Sequence, residues 1–298
     1  MAEAHGPAGP RRRLGAELRR LRNKSGLHLD DVAREMSCST SKISRLENGK
    51  GIPKLPDVRE LMRIYGVTSD TERDMLLRLV RDGRQQGWWE PYTEGVQAER
   101  FVLDDPGRYP ALETEAIAVR LFTGMIMPGL LQTADYAREM LRALLPHRPR
   151  GDIESLVRLR MERQKALTRQ ESPLQLSAVL DEALLRRVVG GSELMRDQLR
   201  AVLDKSDLPT VEVRVLPFDA GFHRGHLGQF TLLELREPLE DLVFIEGHGG
   251  DSYLDSADDV KLYKEVYADV VSKALSPPAS AALIREYLVR YESGEGGL

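Results

Sequence analysis

Four polar side chains lie close together between residues 40 and 45: Thr40, Ser41, Ser44 and Arg45. At about 100° of turn per residue they fall on one side of a helix, and Ile43 and Leu46 fall on the other. Hydroxyls and a guanidinium of this length can reach base edges in a major groove, where each base pair presents its own donor and acceptor pattern. Ser39 stands where a cap is needed, so the first N–H groups of that helix would lie near phosphate. Lys42, beside them, would reach phosphate as well.

The surroundings match that chemistry. Residues 1–84 hold 18 Lys and Arg against 12 Asp and Glu, a net of +6, whereas the remainder carries −10. A basic head on an acidic body implies an anionic partner for the head. Its elements read as five short helices between Arg13 and Gly83, with apolar residues at helical spacing from Leu14, Leu18 and Leu21 through to Leu79 and Val80. Gly26, Gly49, Gly66, Pro53 and Pro56 break them apart, and Ser69 with Glu72 opens the fifth as a capping box. Ala33 is the small residue where the polar-faced helix would cross the one before it.

The stretch GLHLDDVAREMSCSTSKISRLENGK, residues 26–50, resembles the lambda-repressor/Cro-like helix-turn-helix regulators of the xenobiotic-response-element type, and the closing ISRLENGK is its most characteristic part. The resemblance covers roughly residues 13–80. It implies a helix 39–47 lying in the major groove, with Thr40, Ser41, Ser44 and Arg45 on bases. It also implies a ring of phosphate contacts from Arg12, Arg13, Arg19, Ser39, Lys42, Lys50 and Lys54. Two residues depart from the family pattern. Leu29 stands where Gln usually contacts phosphate, so that role is not carried over. Ser37 stands where Gly is usual in the turn, which is strained if its backbone is left-handed.

Beyond residue 84 the pattern changes. RDGRQQGWWEPYTEG reads as a junction, packed because Trp88 and Trp89 need burial. The expected division is an arm at 1–12, the helix-turn-helix domain at 13–84, a packed linker at 85–95 and a regulatory or partner-binding domain at 96–298. Within that last domain helices are expected at 109–123, from a Thr133 cap to Leu144, and at 152–170, with another over 181–204 interrupted at Gly190-Gly191. Strands are expected at 174–180, 211–217, 229–235 and 242–247, and closing helices at 257–274 and 280–292. The fold class is therefore α+β overall: an all-α head, then an α+β domain with a small sheet of about four strands.

Segments of this second region, among them MPGLLQTADYAREML (127–141), RMERQKAL (160–167) and VEVRVLPFDAGFH (211–223), resemble the C-terminal domain of unknown function found in actinobacterial regulators of the WhiJ-like and antitoxin-like kind. That implies a regulator often paired with a small partner protein. The basic helix carrying Arg158, Arg160 and Arg163 reads as a solvated face paired with Asp181, Glu182 or other acids. Its sharper reading is an anion, ligand or partner site, to which His223 and His226 are added.

His223, His226 and His248, near Glu246 and Asp251, have the types needed for acid–base work. No nucleophile motif, phosphate loop or metal-ligand spacing accompanies them, so neither an enzyme nor a cofactor is expected. Cys38 is the sole cysteine, which excludes an internal disulfide and suits a reducing cytoplasm. With 41% apolar and 30% charged residues and no apolar run of about 18, the chain is expected to fold in water. Its first residues lack the apolar stretch of a secretory leader. The expected partners are double-stranded DNA, a second copy of the chain, and a small protein or ligand.

Overall fold

A computed structural model describes residues 7–49, 53–96, 106–237, 239–247 and 250–293. The chain divides into two units, Met1–Glu90 with Glu237–Leu239, and Pro91–Arg236 with Glu240–Leu298.

The first unit is helical: α1 (Ala8–Lys24), α2 (Leu29–Glu35), α3 (Thr40–Glu47), α4 (Leu55–Ile64) and α5 (Asp70–Asp82). Helix α1 starts at Ala8, earlier than the expected Arg13, and so takes in Arg11 and Arg12. Pro10 does not prevent this, because N–H groups in a first turn have no helical partner to lose. Leu14, Leu18, Ile43, Leu61 and Leu76, each at most 1% exposed, centre the core. Ser69 caps α5 by accepting from the Glu72 N–H. At the junction Trp89 is buried and Trp88 meets it edge-on.

The turn between α2 and α3 closes in a Schellman motif. The Cys38 N–H donates to the Ala33 carbonyl at 2.9 Å and the Ser37 N–H to the Arg34 carbonyl at 3.2 Å. That pattern forces the residue between them into the left-handed region, and Ser37 has φ 49°.

The second unit carries a six-stranded mixed sheet, not the small sheet of about four strands expected: β1 (Ala116–Thr123), β2 (Gln175–Asp181), β3 (Val211–Leu216), β4 (Phe230–Leu235), β5 (Leu242–Ile245) and β6 (Ser252–Leu254). The order is β3-β2-β1-β4-β5-β6, with β1, β2 and β3 parallel and the remaining pairs antiparallel.

Two strands account for the difference. The expected helix 109–123 is a short helix, α7 (Arg108–Thr114), followed directly by β1. Leu112, Ala116 and Val119 satisfy a helical period, but Ile117, Val119, Leu121 and Thr123 also alternate. Hydrogen-bonding neighbours on both sides settle the segment as a strand. The second, β6, is three residues long and lies in a polar loop whose composition hides it.

Helices α6 (Glu90–Thr93), α8 (Ala134–Leu144), α9 (Arg150–Gln164), α10 (Ala183–Arg186), α11 (Ser192–Ser206), α12 (Ala257–Lys273) and α13 (Pro277–Glu292) complete the chain. Thr133 caps α8 through the Tyr136 N–H, as expected. The outer edge of β3 is closed by the α12–α13 turn. There the Leu275 N–H donates to the Val215 carbonyl at 2.9 Å, and the Val215 N–H donates to the hydroxyl of fully buried Ser280 at 2.8 Å.

Because a side chain at φ 49° is disfavoured and Ser37 is exposed, Ser37→Gly should stabilise the first unit by about 0.5–1 kcal/mol. Urea denaturation monitored by circular dichroism checks this, and a loss of stability would mean the turn is not left-handed.

Candidate functional site

Helix α3 is capped by Ser39, whose hydroxyl accepts from the Lys42 N–H at 3.3 Å. Ile43 and Leu46 point inward and are buried, which leaves Ser41 and Arg45 exposed. The other two residues of the polar face are partly engaged. Thr40 donates its hydroxyl to Asp30 at 3.3 Å, and half-buried Ser44 accepts from the Asn48 amide at 3.3 Å.

The basic residues around α3 do not share one fate. Lys42 turns its ammonium to Asp57 at 2.8 Å. Arg19 donates to the Asn48 side-chain oxygen and lies 3.9 Å from Glu47. Arg12 and Arg13 are half-buried on α1, and Gly49 packs against the Arg12 backbone. Lys54 is exposed where α4 begins. Lys50 lies outside the described residues.

Reading the sequence missed what fixes α3. Glu47 is 5% exposed and accepts two hydrogen bonds from Arg22, at 2.7 and 3.0 Å, while Arg22 also donates to the Leu27 carbonyl at 3.0 Å. Helices α1 and α3 approach closely enough that a Cβ on Gly15 would stand 2.5 Å from the Glu47 carbonyl oxygen. The signal was present in the periodicity: Glu47 follows Ile43 by four residues, so it lies on the apolar stripe of α3.

In the second unit, the segment Met127–Thr133 runs between α9, α11 and α8 and is held by three glutamines. Gln132 donates to the Met127 carbonyl at 2.7 Å, and Gln164 to the carbonyls of Gly129 and Gln132, both at 2.8 Å. Gln198, fully buried, donates to the Leu131 carbonyl and accepts from the Thr133 N–H, each at 2.8 Å. Buried backbone groups outside helix or sheet need such partners.

A cavity of about 180 Å³ opens beside this segment, where the end of β1 meets the start of β4. Its apolar wall includes Leu121, Phe122, Met140, Leu156, Phe230 and Phe244. Arg160 and Arg163 of α9 also line it, together with Glu246 and Asp251.

The two arginines differ. Arg163 makes paired hydrogen bonds to buried Glu113 at 2.8 and 2.7 Å, not to Asp181 or Glu182. Burial acts to lower Arg163, but Glu113 outweighs it and holds the guanidinium above its ordinary range. Arg160 has only the neutral Gln132 oxygen, at 3.3 Å, and burial with the Arg163 charge brings it down to about 10. Arg158 is exposed, donates to Ser155, and does not line the cavity.

A model of the family described as "Domain of unknown function (DUF5753)" matches residues 107–286, more than half of the 298-residue chain. The chain belongs to the DUF5753 family. A second model, described as "Helix-turn-helix domain", matches residues 13–76 and points to a DNA-binding regulator. No curated protein and no solved structure matches the chain.

The DUF5753 domain thus contains the cavity and also His223 and His226, but it does not bring them together. Neither histidine lines the cavity. His223 is buried edge-on against Phe122, and its backbone N–H donates to Nδ1 of the His226 ring at 3.2 Å. His226 stacks on exposed Phe222. His248 lies outside the described residues. Among the described residues, no three His, Cys, Asp or Glu are grouped to hold a metal, and no helix is long and apolar enough to cross a membrane.

Two outcomes follow from this geometry. Removing one partner of a buried ion pair strands the other, so Glu47→Ala should destabilise the first unit by about 3–5 kcal/mol. Chemical denaturation measures it, and a change below about 1 kcal/mol would show that Glu47 does not anchor α3.

For His223, burial and then the His226 charge hold the imidazole below its ordinary value of 6.5. The unfolded chain then binds the proton more readily, so stability present above 6.5 is lost as pH falls below it. The melting temperature should therefore drop on acidification through this range, and less steeply in His223→Asn. Equal slopes in the two proteins would remove His223 as the source.

Proposed function

We propose that this chain is a sequence-specific DNA-binding transcriptional regulator of the lambda-repressor/Cro-like type. It acts as a repressor, and its DUF5753 domain senses an effector. One observation carries the reading: α3 presents Ser41 and Arg45 to solvent from a helix whose other face is locked to α1 by Glu47 and Arg22. A helix meant to dock on protein would present apolar anchors there. Exposed hydrogen-bonding groups on a rigid support suit base edges instead.

One such head reads a single half-site. A second copy would place another α3 about one helical turn (~34 Å) away along the duplex, so a pseudo-palindromic operator and a homodimer belong to the proposal. Effector binding changes operator affinity to the extent that the effector binds two states of the regulator differently. The effector is a small ligand, on the evidence of the cavity. A small partner protein is the second reading, favoured by Phe222 and Leu227, which lie on one loop and are 77% and 92% exposed. No reaction is assigned to the chain.

Gel shifts with genomic fragments at two salt concentrations test DNA binding. Arg45→Ala should weaken the specific complex by about 1–3 kcal/mol and relax base preference. Unchanged sequence preference in that variant would mean that α3 is not the reading helix.

A further inference from the structure

The cavity holds two charges of opposite sign that have not found each other. Arg160 has one hydrogen bond, to a neutral amide oxygen, among the described residues. A guanidinium has five N–H donors in a planar fork suited to a carboxylate. Glu246 lines the same cavity, and no ion pair within 4.0 Å joins it to Arg160 or to any other described residue. Its charge acts to raise Arg160, against the burial that lowers it, and both side chains line the one cavity. Of the other charges on this wall, Arg163 is neutralised by Glu113, and Asp251 is not without an interaction of its own.

We propose that this cavity binds a small zwitterion with an apolar body, an α-amino acid with a branched or aromatic side chain, its carboxylate on Arg160 and its ammonium on Glu246. Three features select this class. The volume, about 180 Å³, is of the size that accepts a single ring or branched chain. Much of the lining is apolar, with Leu121, Phe122, Met140, Leu156, Phe230 and Phe244 among it.

Charge decides the remainder. A simple carboxylic acid would satisfy Arg160 but set a second carboxylate against Glu246, and a simple amine would do the reverse to Arg160. A zwitterion satisfies both and adds no net charge, and charge-assisted hydrogen bonds are stronger than neutral ones.

The support is rigid. Gln132, which bonds Arg160, is itself 1% exposed and anchored on the Met127 carbonyl. Gly129 lets the chain pass over both guanidinium groups, since a Cβ there would stand 3.3 Å from Arg160 Nη1. These contacts hold Arg160 in place before a ligand arrives.

The inference rests on the reading of this domain as the sensing part only for its regulatory consequence, because binding is measured without DNA. Titration calorimetry on the full chain would compare leucine and phenylalanine with 3-phenylpropanoate, which lacks the ammonium, and phenethylamine, which lacks the carboxylate. The amino acids should bind about tenfold more tightly, or better, than either singly charged analogue. Arg160→Met should remove about tenfold or more of amino-acid affinity, and Glu246→Gln should bring 3-phenylpropanoate level with phenylalanine.

The proposal is overturned if 3-phenylpropanoate binds the unaltered protein as tightly as phenylalanine, or if Glu246→Gln leaves the ranking unchanged. Absence of binding by both amino acids at millimolar concentration also overturns it. Retention of operator fragments by the same preparation would confine that failure to the cavity, leaving the DNA-binding reading intact.

Discussion

Helix α3 has only two turns, too few to be stable alone, so its direction in space must come from what it packs on. Ile43 and Leu46 supply burial, but apolar contact tolerates rotation and sliding. Glu47 does not. A carboxylate that is 5% exposed must meet its counter-charge in good geometry, because an unpaired one would carry the full desolvation penalty. The two hydrogen bonds to Arg22 set where α3 ends, and the missing side chain at Gly15 sets how close α1 comes. With both fixed, the directions of Ser41 and Arg45 follow from helical geometry. The outer face is legible only because the inner face is constrained by charge as well as by shape.

The DUF5753 domain uses the same device and then departs from it. Arg160 and Arg163 are three residues apart on one helix, so they project toward the same side. Glu113 reaches one and not the other. A structural ion pair and an incompletely satisfied guanidinium thus sit side by side, with the turn at Pro128-Gly129 laid across them. Around them, Gln132, Gln164 and Gln198 spend their amides on the backbone of one non-helical segment. Neutral amides can satisfy both N–H and C=O groups without adding charge to a wall that already carries it.

Much of this was readable beforehand. The five helices of the head, the caps at Ser39, Ser69 and Thr133, and the strands at β2 to β5 all follow from local chemistry: periodicity, hydroxyl caps and β-branched alternation. What escaped depended on distant partners. β1 satisfies two periods at once, and only its neighbours on both sides decide between them. Lys42 looks free in the sequence because Asp57 is fifteen residues away. The pairing of Arg163 spans fifty residues, to Glu113, and nothing in either local pattern names the other. Arg160 was named as a candidate, but in company with His223 and His226. The sequence pattern suggested no distinction between a cavity wall and a pair of loop histidines, one buried and one exposed.

The sheet's margins carry one more implication. One side ends at β6, three residues long, and the other at β3, where Leu275 and Ser280 already occupy the groups of Val215 that a newcomer would use. A foreign strand finds little template on either flank, so this domain is poorly suited to open-ended stacking. Any pairing of two copies through it would use helix or loop surfaces more readily than strand edges, and there side-chain shape and charge can limit assembly to a closed pair.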